Sequence, residues 1–140
     1  MTFWSYALSL PHDPRAARVV RDTLRSALTV NEQPHLVDTA TLLASELVGN
    51  VLRHSNGRSL VRMRGHGDTV RISVWDRGPG LPRRTAALPD STDGRGLTLL
   101  DACADRWGVV TAWRPGSGTP GKSVWFELSG ARVFTDCHHI

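Results

Sequence analysis

Glu46, Asn50 and His54 recur at four-residue steps, with Arg53 close to Asn50, inside a segment whose other residues are mostly apolar. Steps of i, i+4 and i+8 put three side chains on one face of a helix. A carboxylate and an amide oxygen so placed can together bind magnesium and activate a hydroxyl or a water. A solvated stripe on an amphipathic helix has the same spacing, so periodicity alone leaves both readings open. A second group is Asp76-Arg77-Gly78-Pro79-Gly80, at the end of an alternating segment. An aspartate there can accept a hydrogen bond from an exocyclic amine, and the glycines let a flat ring approach the backbone; a strand-ending turn is the plainer reading. A third group is Gly94-Arg95-Gly96, immediately before a short helical pattern that begins at Leu97. Unpaired N–H groups at such a junction can receive a phosphate chain, helped by the charge on Arg95. Taken singly, a GxG pattern is common.

A fourth group looks stronger and is set aside. Residues Gly116 to Ser123 satisfy the phosphate-loop pattern GxxxxGK[ST] letter for letter. That loop works only where it opens a helix whose N–H groups cradle phosphate. Here the following residues, SVWFEL, alternate with period 2 and are rich in strand formers. Only 17 residues remain after Ser123, too few for a magnesium-binding acid and the rest of a parallel sheet. The terminal Asp136-Cys137-His138-His139 lacks the ligand spacing of a structural metal site, so none is expected there.

These groups need elements to position them. Phe3 to Leu10 alternates loosely and predicts an edge strand. Asp13-Pro14 is a helix start signal, and Ala17, Val20, Leu24, Ala27 and Leu28 continue it as a helix from Pro14 to about Val30. Pro34 opens a second helix, with Leu36, Ala40, Leu43, Leu47 and Val51 at three- and four-residue steps, ending at Asn56-Gly57. Leu60 to Arg64 and Val70 to Trp75 read as a hairpin turning at residues 65–68. Arg77 to Arg95 has no periodicity and predicts a long loop, of the kind that serves as a lid or binding loop. A short helix from Leu97 to about Ala104, a strand from Trp107 to Trp113 and a strand from Ser123 to Leu128 complete the chain.

The 140 residues fit one domain, assigned to 1–130, with 131–140 as a tail. A 40% hydrophobic and 21% charged composition is ordinary for a globular protein. The N-terminus carries no basic leader and no span long enough for a bilayer, and two cysteines without framework spacing fit a reducing compartment; a cytoplasmic protein is expected, with no membrane partner. The net charge of +4 invites a nucleic-acid reading, but sixteen of the 17 basic residues are arginines scattered along the chain with no block. Nucleic acid is therefore not the expected partner. Arg15, Arg18, Arg21 and Arg25 gather on one helix and read as a solvated face, with docking of an acidic protein as the alternative.

Order along the chain changes the weight of the three weak groups. A helix bearing E…N, a hairpin ending in DxGxG, a variable loop, a GxG opening a helix and a C-terminal strand beginning with a hydroxyl residue resemble the GHKL ATP-binding fold. That fold is shared by gyrase, heat-shock chaperones, histidine kinases and mismatch-repair ATPases, and the resemblance covers about residues 35–128. Within it, ELVGNVLRHS, DRGPG and GRGL look most like the small anti-sigma-factor serine/threonine kinases. The resemblance implies an α+β two-layer sandwich: a mixed, mainly antiparallel sheet covered on one face by about three helices. It implies ATP and magnesium as ligands, with Asn50 on the metal, Glu46 as the base toward a serine hydroxyl, and Asp76 on the adenine amine. It further implies Gly78 and Gly80 beside the base, Gly94, Arg95, Gly96 and Leu97 around the phosphates, Arg53 as a basic neighbour, and Ser123 supporting adenine through a water; Lys122 merely precedes that strand. The partner implied is a sigma factor or an anti-anti-sigma-like protein, and homodimerisation stays open. Two functions fit the motifs: a protein serine/threonine kinase, or a non-catalytic module that uses nucleotide while it sequesters a regulator.

Overall fold

The computed structural model describes residues 3–55, 57–77, 92–113 and 120–130, the side chains of 92–97 and 112–113 excepted. Five strands, β1 (Phe3–Leu10), β2 (Ser59–His66), β3 (Thr69–Asp76), β4 (Arg106–Trp113) and β5 (Pro120–Ser129), form one sheet in the order β1-β2-β3-β5-β4. Every described pairing is antiparallel, so the mixed component of the expected sheet is not seen among these residues. Three helices, α1 (Ala16–Val30), α2 (Val37–His54) and α3 (Thr92–Cys103), supply the second layer, with a 3-10 turn at Pro34–Leu36 leading into α2. This is the α+β sandwich expected from the order of the motifs.

Alternation decides which side of the sheet faces the helices. Val70, Ile72 and Val74 of β3 and Val124, Phe126 and Leu128 of β5 are buried and directly opposite one another in register. Opposed residues of an antiparallel pair share a face, so these six define the inner face. They pack with Val20, Leu24 and Leu28 of α1, Leu43, Leu47 and Val51 of α2, and Leu100 of α3 in one cluster. Removing a single large side chain from such a cluster costs about 2–5 kcal/mol.

On the outer face, residues far apart in sequence meet. Arg64, Arg71, Glu127 and Arg106 stand in one row across four strands. Glu127 lies 2.8 Å from Arg71 and 3.4 Å from Arg106, and the Arg71 guanidinium sits 4.1 Å from the centre of the Trp125 ring. The arginines of α1 behave as a solvated face: Arg15 pairs with Asp13, and Arg18 lies 3.7 Å from Asp22.

Local chemistry explains the ends of the elements. The helix α1 begins at Ala16 with Arg15 as its N-cap, two residues later than the Asp13-Pro14 signal placed it; Asp13 accepts the Arg15 backbone N–H at 2.8 Å, and the Arg15 side chain beside it holds the Asp13 carboxyl down at about 2. The β2–β3 hairpin turns on Gly67-Asp68 alone, with φ of +63° at Gly67, a conformation for which glycine is suited. The expected turn was longer because Gly65 looked like a breaker. Instead Gly65 stays in β2 and makes room for Trp4, whose indole nitrogen would be 2.1 Å from a Cβ there. Trp125 covers Gly108 in the same manner, and Trp75 covers Gly121.

Candidate functional site

The chain leaves α2 at His54 and enters β2 at Ser59, the residue opposite Asp76. The C-terminal turns of α2 and the end of β3 therefore lie at the same end of the sandwich. Gly57, in that connection, packs so tightly on Arg77 that a Cβ would fall 2.7 Å from its Cδ.

On α2, Glu46 and Asn50 are both half-buried at the i, i+4 spacing. Arg53 donates from Nη2 to the Asn50 Oδ1 in a short hydrogen bond, and its guanidinium lies over Gly49, 3.3 Å from where a Cβ would stand. The Asn50 oxygen is thus occupied by a cation that a magnesium ion would have to displace before binding there. Glu46 takes no hydrogen bond or ion pair among the described residues, so its carboxylate is available to accept a proton. His54 is exposed on the last turn of α2.

Asp76 closes the inner-face column of β3, following Val70, Ile72 and Val74. Its carboxylate is buried and pairs with Lys122, Nζ to Oδ1 2.8 Å. Lys122 is the direct register partner of Asp76 on β5. The expectation that Lys122 merely precedes a strand is corrected: it lies on β5, facing the same side as Asp76. Ser123 is one residue on and so points the other way. Its register partners are Trp75 on β3 and Val110 on β4, and the structure does not bring it to Asp76.

The glycine-rich segment also departs from expectation. Residues 92–96 belong to α3, which begins at Thr92 and not at Leu97. The N–H groups of a helix's first three residues have no partner within it, and in α3 these are Thr92, Asp93 and Gly94. The backbone of Gly94 therefore keeps the donor character that a phosphate requires. Arg95, Gly96 and Leu97 lie past that point, where the N–H groups close the helix's own bonds. Gly78, Gly80 and most of the expected lid (78–91) lie outside the described residues, as does the Cys137-His138-His139 tail. Among the described residues no group of three His, Cys, Asp or Glu side chains could hold a metal, and no helix is long and apolar enough to cross a membrane.

Lys122 is the site residue that motif reasoning missed. A signal was available: a single lysine in phase with Val124, Phe126 and Leu128 occupies the apolar side of its strand. Lysine at such a position is uncommon unless it is paired.

A two-layer sandwich with an acid and an amide on one helix, a buried strand-end aspartate and a helix N-terminus defines a nucleotide-binding domain of the GHKL type. The family model for the histidine kinase-like ATPase domain matches residues 10–126, from the end of β1 into β5, and the chain belongs to that family. No curated protein matches the chain. Domains of this family bind ATP, typically with magnesium. The residues present fit that ligand pair: Asp76 offers a desolvated acceptor, Asn50 an amide oxygen one helical turn from the Glu46 carboxylate, and α3 its N-terminal N–H groups.

Proposed function

We propose that the chain is a magnesium- and ATP-dependent protein serine/threonine kinase of the anti-sigma regulatory type, acting on an anti-anti-sigma-like partner in the cytoplasm. The observation that carries the reading is Glu46: a half-buried carboxylate without a partner among the described residues, one helical turn from Asn50. MgATP, when bound, supplies the γ-phosphoryl group and the cation that offsets phosphate charge. Asn50 would hold the metal, Asp76 the adenine amine, and the backbone of Gly94 with the charge of Arg95 the phosphates. Gly78 and Gly80 would line the base, and Arg53 would move from Asn50 toward phosphate as the metal takes its place.

The Glu46 carboxylate accepts the proton of the partner's serine or threonine hydroxyl as that oxygen forms its bond to phosphorus. The bond from phosphorus to the bridging oxygen breaks and ADP departs. Positioning and electrostatic stabilisation supply most of the rate in such transfers.

The test is phosphoryl transfer from labelled ATP to candidate partner proteins. Glu46→Ala is expected to keep ATP affinity and lose about 10²–10⁴-fold in transfer rate, the usual contribution of a positioned base. Asn50→Ala is expected to lose the magnesium-dependent part of ATP binding, read by calorimetry with and without chelator, while its unfolding temperature stays near that of the parent. Tight ATP binding by the intact protein with no transfer to any partner it captures would support nucleotide-dependent sequestration of a regulator in place of catalysis.

A further inference from the structure

The kinase reading leaves the ion pair of Asp76 and Lys122 without a task. Both groups lie on the helix-facing side of the sheet, with side chains 3% and 14% exposed. Removing two charges from water costs more than their attraction reliably returns, and an apolar pair of the same volume commonly holds such a position as well or better. Stability is therefore a weak reason for charge at this point of the sheet.

The hydrogen-bonding capacity of the pair supplies a better one. An ammonium carries three N–H donors, and a carboxylate offers about four lone-pair sites. With one N–H of Lys122 on Asp76 Oδ1, the ammonium keeps further donors and the carboxylate can accept more than one bond, so an acceptor and a donor stand side by side at the end of β3 and β5. The hydrogen-bonding edge of adenine is the complement: the amine at C6 donates, and the adjacent ring nitrogen N1 accepts. In the same pose inosine and guanine turn an oxygen toward Asp76 and an N–H toward Lys122, mismatched at both. An ammonium can only donate, so it fixes the reading of N1 more strictly than a hydroxyl or a water, which can do either. Ser123, which the family resemblance implied for adenine support, lies on the opposite face.

We infer that Lys122 is a base-reading residue: its ammonium, held in place by Asp76, donates a hydrogen bond directly to adenine N1. The inference rests on the ATP-site reading of Asp76. It makes the Asp76 and Lys122 pair a two-point reader of the purine edge and gives Lys122 a part in nucleotide selection.

The experiment compares ATP with 1-deaza-ATP, in which a C–H replaces N1, as ligands of the full chain in the presence of magnesium. The parent protein is expected to bind the deaza analogue about ten- to a hundredfold more weakly, the size of one charge-assisted hydrogen bond. Lys122→Met is expected to bind both nucleotides with the same Kd, because no donor remains to sense N1. A purely structural lysine would weaken both ligands together and leave their ratio untouched, and that result overturns the inference, as does a parent protein that binds the two equally. If Lys122→Met does not unfold as a cooperative unit, Lys122→Gln replaces it, with a smaller ATP to deaza-ATP ratio than the parent expected and an unchanged ratio counting against the inference. Failure of the parent to bind ATP at all is a separate result, since it removes the ATP reading itself.

Discussion

Asp76 and Lys122 are tied by a 2.8 Å contact between two strands, and losing either removes the ion pair from a buried position. Breaking a buried pair by removing one partner typically costs about 3–5 kcal/mol, whereas replacing both by apolar groups is often neutral or stabilising. Asp76→Leu alone is therefore expected to lower unfolding free energy by about that amount in urea titration, and Asp76→Leu with Lys122→Met to return to the parent's stability or exceed it. Nucleotide affinity should be lost in both proteins. Recovery of stability without recovery of binding is what a pair kept for recognition predicts; a double variant as unstable as the single one would show the charges hold the sheet. At this scale the sequence was legible where types alone decide. Asp76 could be picked from its place at the end of an alternating run. The phase of Lys122 with Val124, Phe126 and Leu128 marks it as a lysine needing a partner, but which residue it meets is set by the β3 to β5 pairing, a long-range choice that no local pattern encodes.

Helix boundaries show where local rules yield to tertiary ones. After α1, Glu32 adopts φ of +64°, and the backbone N–H groups of Glu32 and Gln33 return to Thr29 and Leu28 at 3.2 and 2.7 Å. That is the bonding of a Schellman C-cap with glutamate in the position glycine prefers. A left-handed conformation costs a residue with a Cβ about 1–2 kcal/mol, partly offset because glycine loses more chain entropy on folding. Glu32→Gly is expected to stabilise the protein by about 0.5–1 kcal/mol, seen as a higher urea midpoint with an unchanged slope. An unchanged midpoint would mean the strain is absorbed elsewhere. Asn31 and Pro34 mark the end of the helix in the sequence, but glutamate does not signal the left-handed position that glycine prefers. The start of α3 is the converse case. Gly94 and Gly96 each disfavour a helix by about 1 kcal/mol relative to alanine, so propensity places the start at Leu97, and the helix nonetheless begins at Thr92. The strands were read more accurately because alternation is a burial signal, and burial is what the sheet satisfies.

For the molecule as a whole, the order β1-β2-β3-β5-β4 makes β5 the strand on which the C-terminal half depends. Among the described residues β4 pairs with β5 alone, and β5 brings Val124, Phe126 and Leu128 into the core. A chain ended at Trp113 is expected to show no cooperative unfolding by circular dichroism, because losing three core side chains and two strand pairings exceeds the about 5–15 kcal/mol that stabilises a typical domain. A sigmoidal melt from that truncated chain would refute the dependence. The same order has a consequence in time. Asp76 and Lys122 are separated by 46 positions, and ribosomes add about 5–20 residues per second. For about 2–9 s of its synthesis the nascent protein has its helix acid and its strand-end aspartate but not its lysine. If Lys122 reads the base as proposed, a growing chain cannot read a purine until β5 is made, and an unfinished copy stays silent toward nucleotide.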